Sequence, residues 1–237
     1  MIHQKVFKEI FEDRVRIVRD IIKELETKGE NLQCILDLGC GNGEITVEVT
    51  RNLITPVEIY GVDINDNLLK KARERGIIIF HGDLNSDKLP FQDESIDLAL
   101  ALEVIEHLYN TDNFLSEIYR VLRHNGYFIL TTPNLSWWIN RVVLLFGYQP
   151  YLTDVSLKYD VGKLFKKPSK ATYPGDHIRM FTLPALRQLL SIYNFKIVKL
   201  KGSTFKQVPS LLRSIDKLVA YIRPQFAANI IILARKI

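Results

Sequence analysis

The chain has 237 residues, a formal net charge of +5, 47% hydrophobic and 25% charged residues, a balance that excludes a disordered polyelectrolyte and allows one sizeable core. No apolar run approaches membrane-spanning length, and the N-terminus reads as charged and amphipathic rather than as a leader. Two cysteines, Cys34 and Cys40, exclude a disulfide framework and a zinc site, so the expectation is a single-domain cytoplasmic protein.

The elements follow in order. Phe7, Ile10, Ile17, Ile21 and Leu25 recur at helical spacing, which predicts an amphipathic helix over Lys5 to Glu26 within an N-terminal segment 1–30. Ile35 to Leu38 reads as a buried strand ending in the turn Gly39-Cys40-Gly41-Asn42-Gly43. There, glycines at alternate positions let the backbone turn sharply and come close to a ligand. A helix follows at once. Asp37 stands two residues before the first glycine, a place that suits an ammonium better than a pyrophosphate.

Val57 to Asp63 reads as a second strand with an acidic C-terminal end, where a carboxylate can accept two ribose hydroxyls. A helix over Asn65 to Arg75 and a third strand, Ile77 to Phe80, lead to His81-Gly82-Asp83-Leu84. Asp97 to Leu102 is a fourth strand, followed by Glu103-Val104-Ile105-Glu106-His107-Leu108. Read as a helix over Glu103 to Tyr109, this segment places Glu103, Glu106 and His107 on one face.

A helix over Asn113 to Arg123, a turn at His124-Asn125-Gly126 and a fifth strand, Tyr127 to Thr132, come next. Residues 134–175 form an insertion: an apolar helix from Trp137 to Tyr148, then a loop bearing Tyr151, Tyr159, Lys163, Phe165, Lys166, Lys167, Lys170 and Tyr173. Thr182 opens a helix with Pro184 in its first turn. Phe195 to Leu200 is a sixth strand, residues 210–222 a helix, and Asn229 to Ala234 the last strand. Strands and helices in alternation mean an α/β fold built on a parallel sheet.

The run Asp37-Leu38-Gly39-Cys40-Gly41-Asn42-Gly43, with Asp63, Asp83 and Glu103 at the next strand ends, resembles the class I S-adenosylmethionine (SAM)-dependent methyltransferases. That resemblance implies a Rossmann-like seven-stranded mixed sheet, six strands parallel and the last antiparallel, with helices on both faces. It implies SAM as cofactor, with Asp37, Gly39, Cys40, Gly41 and Gly43 at its methionine end, Asp63 and Ile64 at the ribose, Asp83 and Leu84 at the adenine, and Glu103 facing it.

Glu103-x-x-Glu106-His107 also resembles the ubiquinone-pathway O-methyltransferases and the small-RNA 2′-O-methyltransferases. By that resemblance Glu103, Glu106, His107 and His177 hold a divalent metal, Mg²⁺ or Mn²⁺, with Glu106, His107 and His177 catalytic. The competing expectation is His107 as a metal-free general base or as a structural donor.

Charge is divided along the chain. Residues 1–154 carry 16 Lys+Arg against 24 Asp+Glu, and residues 155–237 carry 16 against 3. Beside a merely solvated basic face, this suggests an anionic partner: a small phosphorylated, glycosylated or lipid-linked acceptor, RNA, or an acidic membrane surface reached through Trp137 and Trp138. O-methylation of a small or lipid-linked acceptor is the leading expectation. RNA 2′-O-methylation and a non-catalytic SAM-binding scaffold are the alternatives.

Overall fold

The computed structural model describes the backbone of residues 2–165, 167–170, 177–205, 208 and 210–237, and their side chains from residue 12 on, except that of residue 210. The strands are β1 (Cys34–Leu38), β2 (Glu58–Asp63), β3 (Ile78–His81), β4 (Ile96–Leu102), β5 (Leu122–Pro133), β6 (Tyr159–Asp160), β7 (Ser169–Lys170), β8 (Phe195–Ser203) and β9 (Asn229–Lys236). Seven of them form one sheet of order β3-β2-β1-β4-β5-β9-β8, while β6 and β7 pair as a separate short ribbon. β9 runs antiparallel to both β5 and β8, so the other six strands point the same way. The expected sheet is present, its antiparallel strand lying inside rather than at the edge.

The helices are α1 (Ile2–Thr27), α2 (Glu44–Thr50), α3 (Asp66–Glu74), α4 (Thr111–Val121), α5 (Trp138–Leu145), α6 (Leu183–Ile192) and α7 (Ser210–Ile222). Alternation along β4 explains how they divide. Leu98 and Leu100 face a core with Val18, Ile21, Ile22 and Leu25 of α1 and Val49 of α2. Ala99 and Ala101 face the other core, with Phe114, Leu115 and Ile118 of α4 and Leu186 and Leu190 of α6. The small alanines leave room for the larger side chains of the two helices above them. Asn65, Asn110 and Thr182 accept backbone N–H groups at the starts of α3, α4 and α6. The side chains of Phe7 and Ile10, expected on the buried face of α1, lie outside the described residues, as do Lys166 and Tyr173.

Two local expectations are corrected. β5 starts at Leu122, and its pairing with β4 jumps from Ile96↔Leu122 to Leu98↔Tyr127. Asn125, at φ 64°, turns inside that bulge rather than ahead of the strand. Glu103 to Tyr109 is not a helix: Glu103 has φ 61°, and only Ile105–His107 makes a single 3₁₀ turn. A left-handed residue is not part of a right-handed helical turn, so Glu103 does not share a helical face with Glu106 and His107.

Candidate active site

The C-terminal ends of β1, β2, β3 and β4 converge on one side of the sheet, where open α/β sheets bind ligands. Gly39, Gly41 and Gly43 have φ of 72°, 54° and 75°, a run that side-chain-bearing residues resist. A Cβ at Gly43 would stand 2.5 Å from Ile77 Cδ1, just ahead of β3, and 3.1 Å from Ala72 Cβ, so this glycine seats the turn against α3 and the residue that follows it into the sheet. Around Gly41 nothing lies within 4 Å of such a Cβ. The turn is packed beneath and open above, which fits the close approach of a cofactor.

Asp63 braces this turn. Its carboxylate accepts the Gly41 N–H at 2.8 Å and the Asn65 N–H at 2.8 Å, and Ile64 beside it is exposed. Asp83 accepts from both the backbone and side-chain nitrogens of Asn85 at 2.9 Å, which lowers its pKa. A cleft of about 400 Å³ opens here, lined by Val62, His81, Asp83, Leu84, Lys88 and Pro90 among others. Asp83 and Leu84, the residues expected at the adenine, are among its walls. Cys40 is buried against Gly61, where a Cβ would meet its Sγ at 2.7 Å, and desolvation raises its pKa. Its thiol is packing material.

Asp37 lies deeper than expected. It is buried, accepts the Thr46 hydroxyl, and has its pKa raised to about 7, first by desolvation and further by Asp63. It ties the end of β1 to Thr46 of α2.

Glu103 turns toward α1. Its carboxylate pairs with the buried Arg14 and accepts the Thr131 hydroxyl at 2.7 Å. Arg14 also donates to Asn229 at 3.3 Å, which ties α1 across the start of β9.

Glu106, His107 and His177 come together without Glu103. One ligand-capable atom from each lies within 4.8 Å of the others. Glu106 is fully buried; Oε2 accepts the Thr132 hydroxyl at 3.0 Å, and Oε1 has no hydrogen-bond partner. Desolvation and then the Glu103 charge raise its pKa well above the ordinary carboxyl range. The rings of His107 and His177 stand 5.0 Å apart between centroids. His177 Nδ1 lies 2.9 Å from the Leu152 carbonyl, which can only accept, so Nδ1 carries the proton and Nε2 is left as the basic atom. A buried carboxylate oxygen lacking a partner beside two imidazoles is a donor set that fits a divalent cation, without Glu103 as a ligand.

Several residues that build this site have weak sequence signals. Arg179 donates its backbone N–H to the Glu106 carbonyl and its guanidinium to the carbonyls of Leu108 and Tyr109, which draws His177 to His107. Asn140 holds Tyr151 by reciprocal bonds of 2.8 and 3.2 Å, and the buried Lys163 donates to the carbonyls of Pro150 and Thr153. Together they fix the loop whose Leu152 carbonyl orients His177. Asn140 inside an apolar helix was the one clue available.

Residues 36–130 match a family model described as a methyltransferase domain. A probable S-adenosylmethionine-dependent methyltransferase of Mycolicibacterium smegmatis is 36% identical over 42% of this chain and 38% of its own length. Demethylmenaquinone methyltransferase of Lactiplantibacillus plantarum is 30% identical over 49% of this chain and 59% of its own. A ubiquinone/menaquinone biosynthesis C-methyltransferase of Psychromonas ingrahamii is 27% identical over 69% and 66%. The chain thus spans between about a third and two thirds of these curated relatives. Among solved structures, a possible histamine N-methyltransferase of Thermotoga maritima shares the fold at TM-score 0.64 and 19% identity, over 99% of this chain and 95% of that one. Magnesium protoporphyrin IX methyltransferase of Synechocystis, solved with bound SAH, does so at 0.61 and 15%, over 98% and 87%.

Proposed function

We propose that this chain, which carries a class I Rossmann-like SAM-dependent methyltransferase domain, methylates a hydroxyl oxygen of a small, glycosylated or lipid-linked acceptor beside His107. SAM, when bound, supplies a methyl group on a sulfonium, an electrophile that needs only an aligned nucleophile. The observation that carries the reading is the cluster of buried Glu106 with half-buried His107 and His177, in the segment whose Val104 packs against Gly39 of the glycine turn.

In this scheme His107 takes the acceptor's hydroxyl proton as the oxygen forms its bond to the methyl carbon and the carbon–sulfur bond breaks, with S-adenosylhomocysteine as the other product. His177, held through Nδ1 by the Leu152 carbonyl, sets its ring beside that of His107. Burial of Glu106 keeps water from competing for its free oxygen. Were a divalent cation held there by Glu106, His107 and His177, it would lower the hydroxyl's pKa and position it, and His107 would then be a ligand instead of the base.

The test uses SAM with a deuterated methyl group and a panel of hydroquinones, catechols and lipid-linked sugars, with and without chelator. Label on oxygen, lost in His107→Ala, is expected. Label on carbon, as the name of the Psychromonas relative would suggest, overturns the choice of oxygen. With RNA offered beside the panel, label on RNA alone would overturn the acceptor class.

A further inference from the structure

The two segments beside the candidate site are fastened in different ways. Trp137 and Trp138, expected to meet a membrane, are spent inside: Trp137 is 2% exposed, and both indole N–H groups donate to the buried Asp216 at 2.8 Å. They pin α5 to α7 and so hold the insertion at its start. The segment from Glu103 to Asn110 has less of its own. Its 3₁₀ turn closes with the His107 N–H on the Val104 carbonyl and the Leu108 N–H on that of Ile105, too little to set its place in the molecule. That place depends on what grips its ends. Thr131 of β5 holds it at Glu103.

Asn85 grips the other end. Its amide oxygen accepts the Tyr109 N–H at 2.9 Å and the Asn110 N–H at 3.3 Å, and its amide nitrogen donates to Asp83 Oδ1 at 2.9 Å. These partners fix which way the amide faces, because a backbone N–H only donates and a carboxylate accepts. Asp83, Leu84 and Ser86 line the cleft, whereas Asn85 turns its side chain to the segment after β4. From there the bonds continue. Arg179 donates to the Leu108 and Tyr109 carbonyls and, through its backbone N–H, to the Glu106 carbonyl, with His177 just ahead of it in the chain. One side chain thus joins the wall of the cleft to the segment that carries Glu106 and His107, and Arg179 joins that segment to His177.

On the reading that the cofactor's base enters the cleft beside Asp83, we propose that Asn85 is a positioning residue that couples the base to the histidine pair. With the base against Asp83, Asn85 sets Tyr109 and Asn110, and Arg179 carries that setting to His177 beside His107. A base in the cleft shifts the histidines only as far as it binds the set arrangement more tightly than the loose one, so the coupling works in both directions. Its use is order: the site for the acceptor is assembled once the methyl donor has arrived.

The test follows the ring nitrogens of His107 and His177 by ¹⁵N NMR on the full chain as adenosine is added to saturation. Adenosine carries the base and the ribose and leaves the methionine end of the site empty. Its binding is read separately at the backbone amides of Gly82 and Leu84. In the native chain the amide and ring signals should shift together along one binding curve. Asn85→Asp keeps an oxygen for the Tyr109 and Asn110 N–H groups but sets a carboxylate against Asp83. It should keep the native circular dichroism spectrum and the amide shifts, while the ring shifts are lost. Asn85→Ala, which adds no charge and lacks both links, should lose them as well. Ring signals that move equally in Asn85→Asp, as a merely structural brace would allow, overturn the proposal. So do ring signals that stay still in the native chain while the amides move. Amides of Gly82 and Leu84 that do not respond would show that the base goes elsewhere, which overturns the reading of the cleft and the coupling with it.

Discussion

The imidazoles of His107 and His177 lie 5.0 Å apart between ring centroids, although β5 and the whole insertion separate them in the chain. The first follows β4, and the second is drawn in by Arg179, which bonds the carbonyls of Glu106, Leu108 and Tyr109. The pairing is therefore a property of the fold rather than of one segment.

If this pair and Glu106 form a cation site, Mn²⁺ titrated with S-adenosylhomocysteine present should give one tight site by electron paramagnetic resonance. Glu106→Ala and His177→Ala should each weaken it tenfold or more, the usual cost of losing a ligand or its support. Glu103→Gln should leave it nearly unchanged, because that carboxylate is turned to Arg14 and Thr131. A site insensitive to Glu106 and His177 would leave His107 as the base and remove the metal from the scheme.

Gly41 and Gly43 separate binding from folding. Gly43→Ala drives a methyl into Ile77 and Ala72 at a left-handed position and should cost about 3 kcal/mol in urea denaturation. Gly41→Ala meets no protein atom, so its stability loss should stay near 1 kcal/mol. It should instead weaken S-adenosylhomocysteine binding measured by calorimetry, since its methyl enters the space left open above the turn. Equal stability losses in the two variants would contradict this division.

How far the sequence carried depends on the range of the signal. The strands of the main sheet were legible because the apolar runs of β1, β4, β5 and β9, buried almost throughout, and the punctuation by Gly39 and Pro133 are local. The antiparallel placement of β9 came through the family resemblance. The partner of Glu103 was not legible: Arg14 is one of many charges along α1, and nothing local sets it against the residue that follows β4. The segment after β4 misled for a different reason. Glu-Val-Ile-Glu-His-Leu has helical periodicity, but the backbone bond from Glu103 N–H to the Thr131 carbonyl holds the chain to the sheet one residue longer. The short 3₁₀ turn that follows moves Glu106 inward. Lys163 read as a member of a basic loop and is instead a buried clamp.

Asp37 gives stability a pH dependence of known sign. Desolvation raises its carboxyl to about 7, so between roughly pH 4 and 7 the folded chain keeps a proton that the unfolded chain gives up. Stability should therefore fall as pH rises through that window, by roughly 4 kcal/mol at most from this group. Asp37→Asn can still accept the Thr46 hydroxyl and should lack this component. The check is a comparison of urea midpoints at pH 4.5 and 8. The variant should gain on the native chain at the higher pH, and parallel behaviour would mean that Asp37 does not titrate there.

Arg14 and Glu103 form a pair that is costly to break. Their side chains are 7% and 14% exposed, so removing one partner leaves a charge poorly hydrated. Arg14→Ala should destabilise by about 3 kcal/mol, because Glu103 keeps only Thr131 and Asn229 loses a donor. Glu103→Gln alone should cost less, since its amide oxygen can still accept from Thr131 and Arg14. The double variant is the informative one. With no carboxylate left behind, it should be more stable than Arg14→Ala alone, and the cycle should return a coupling above about 1 kcal/mol. Additive losses would mean that Arg14 matters for packing α1 against the sheet and that its charge contributes little.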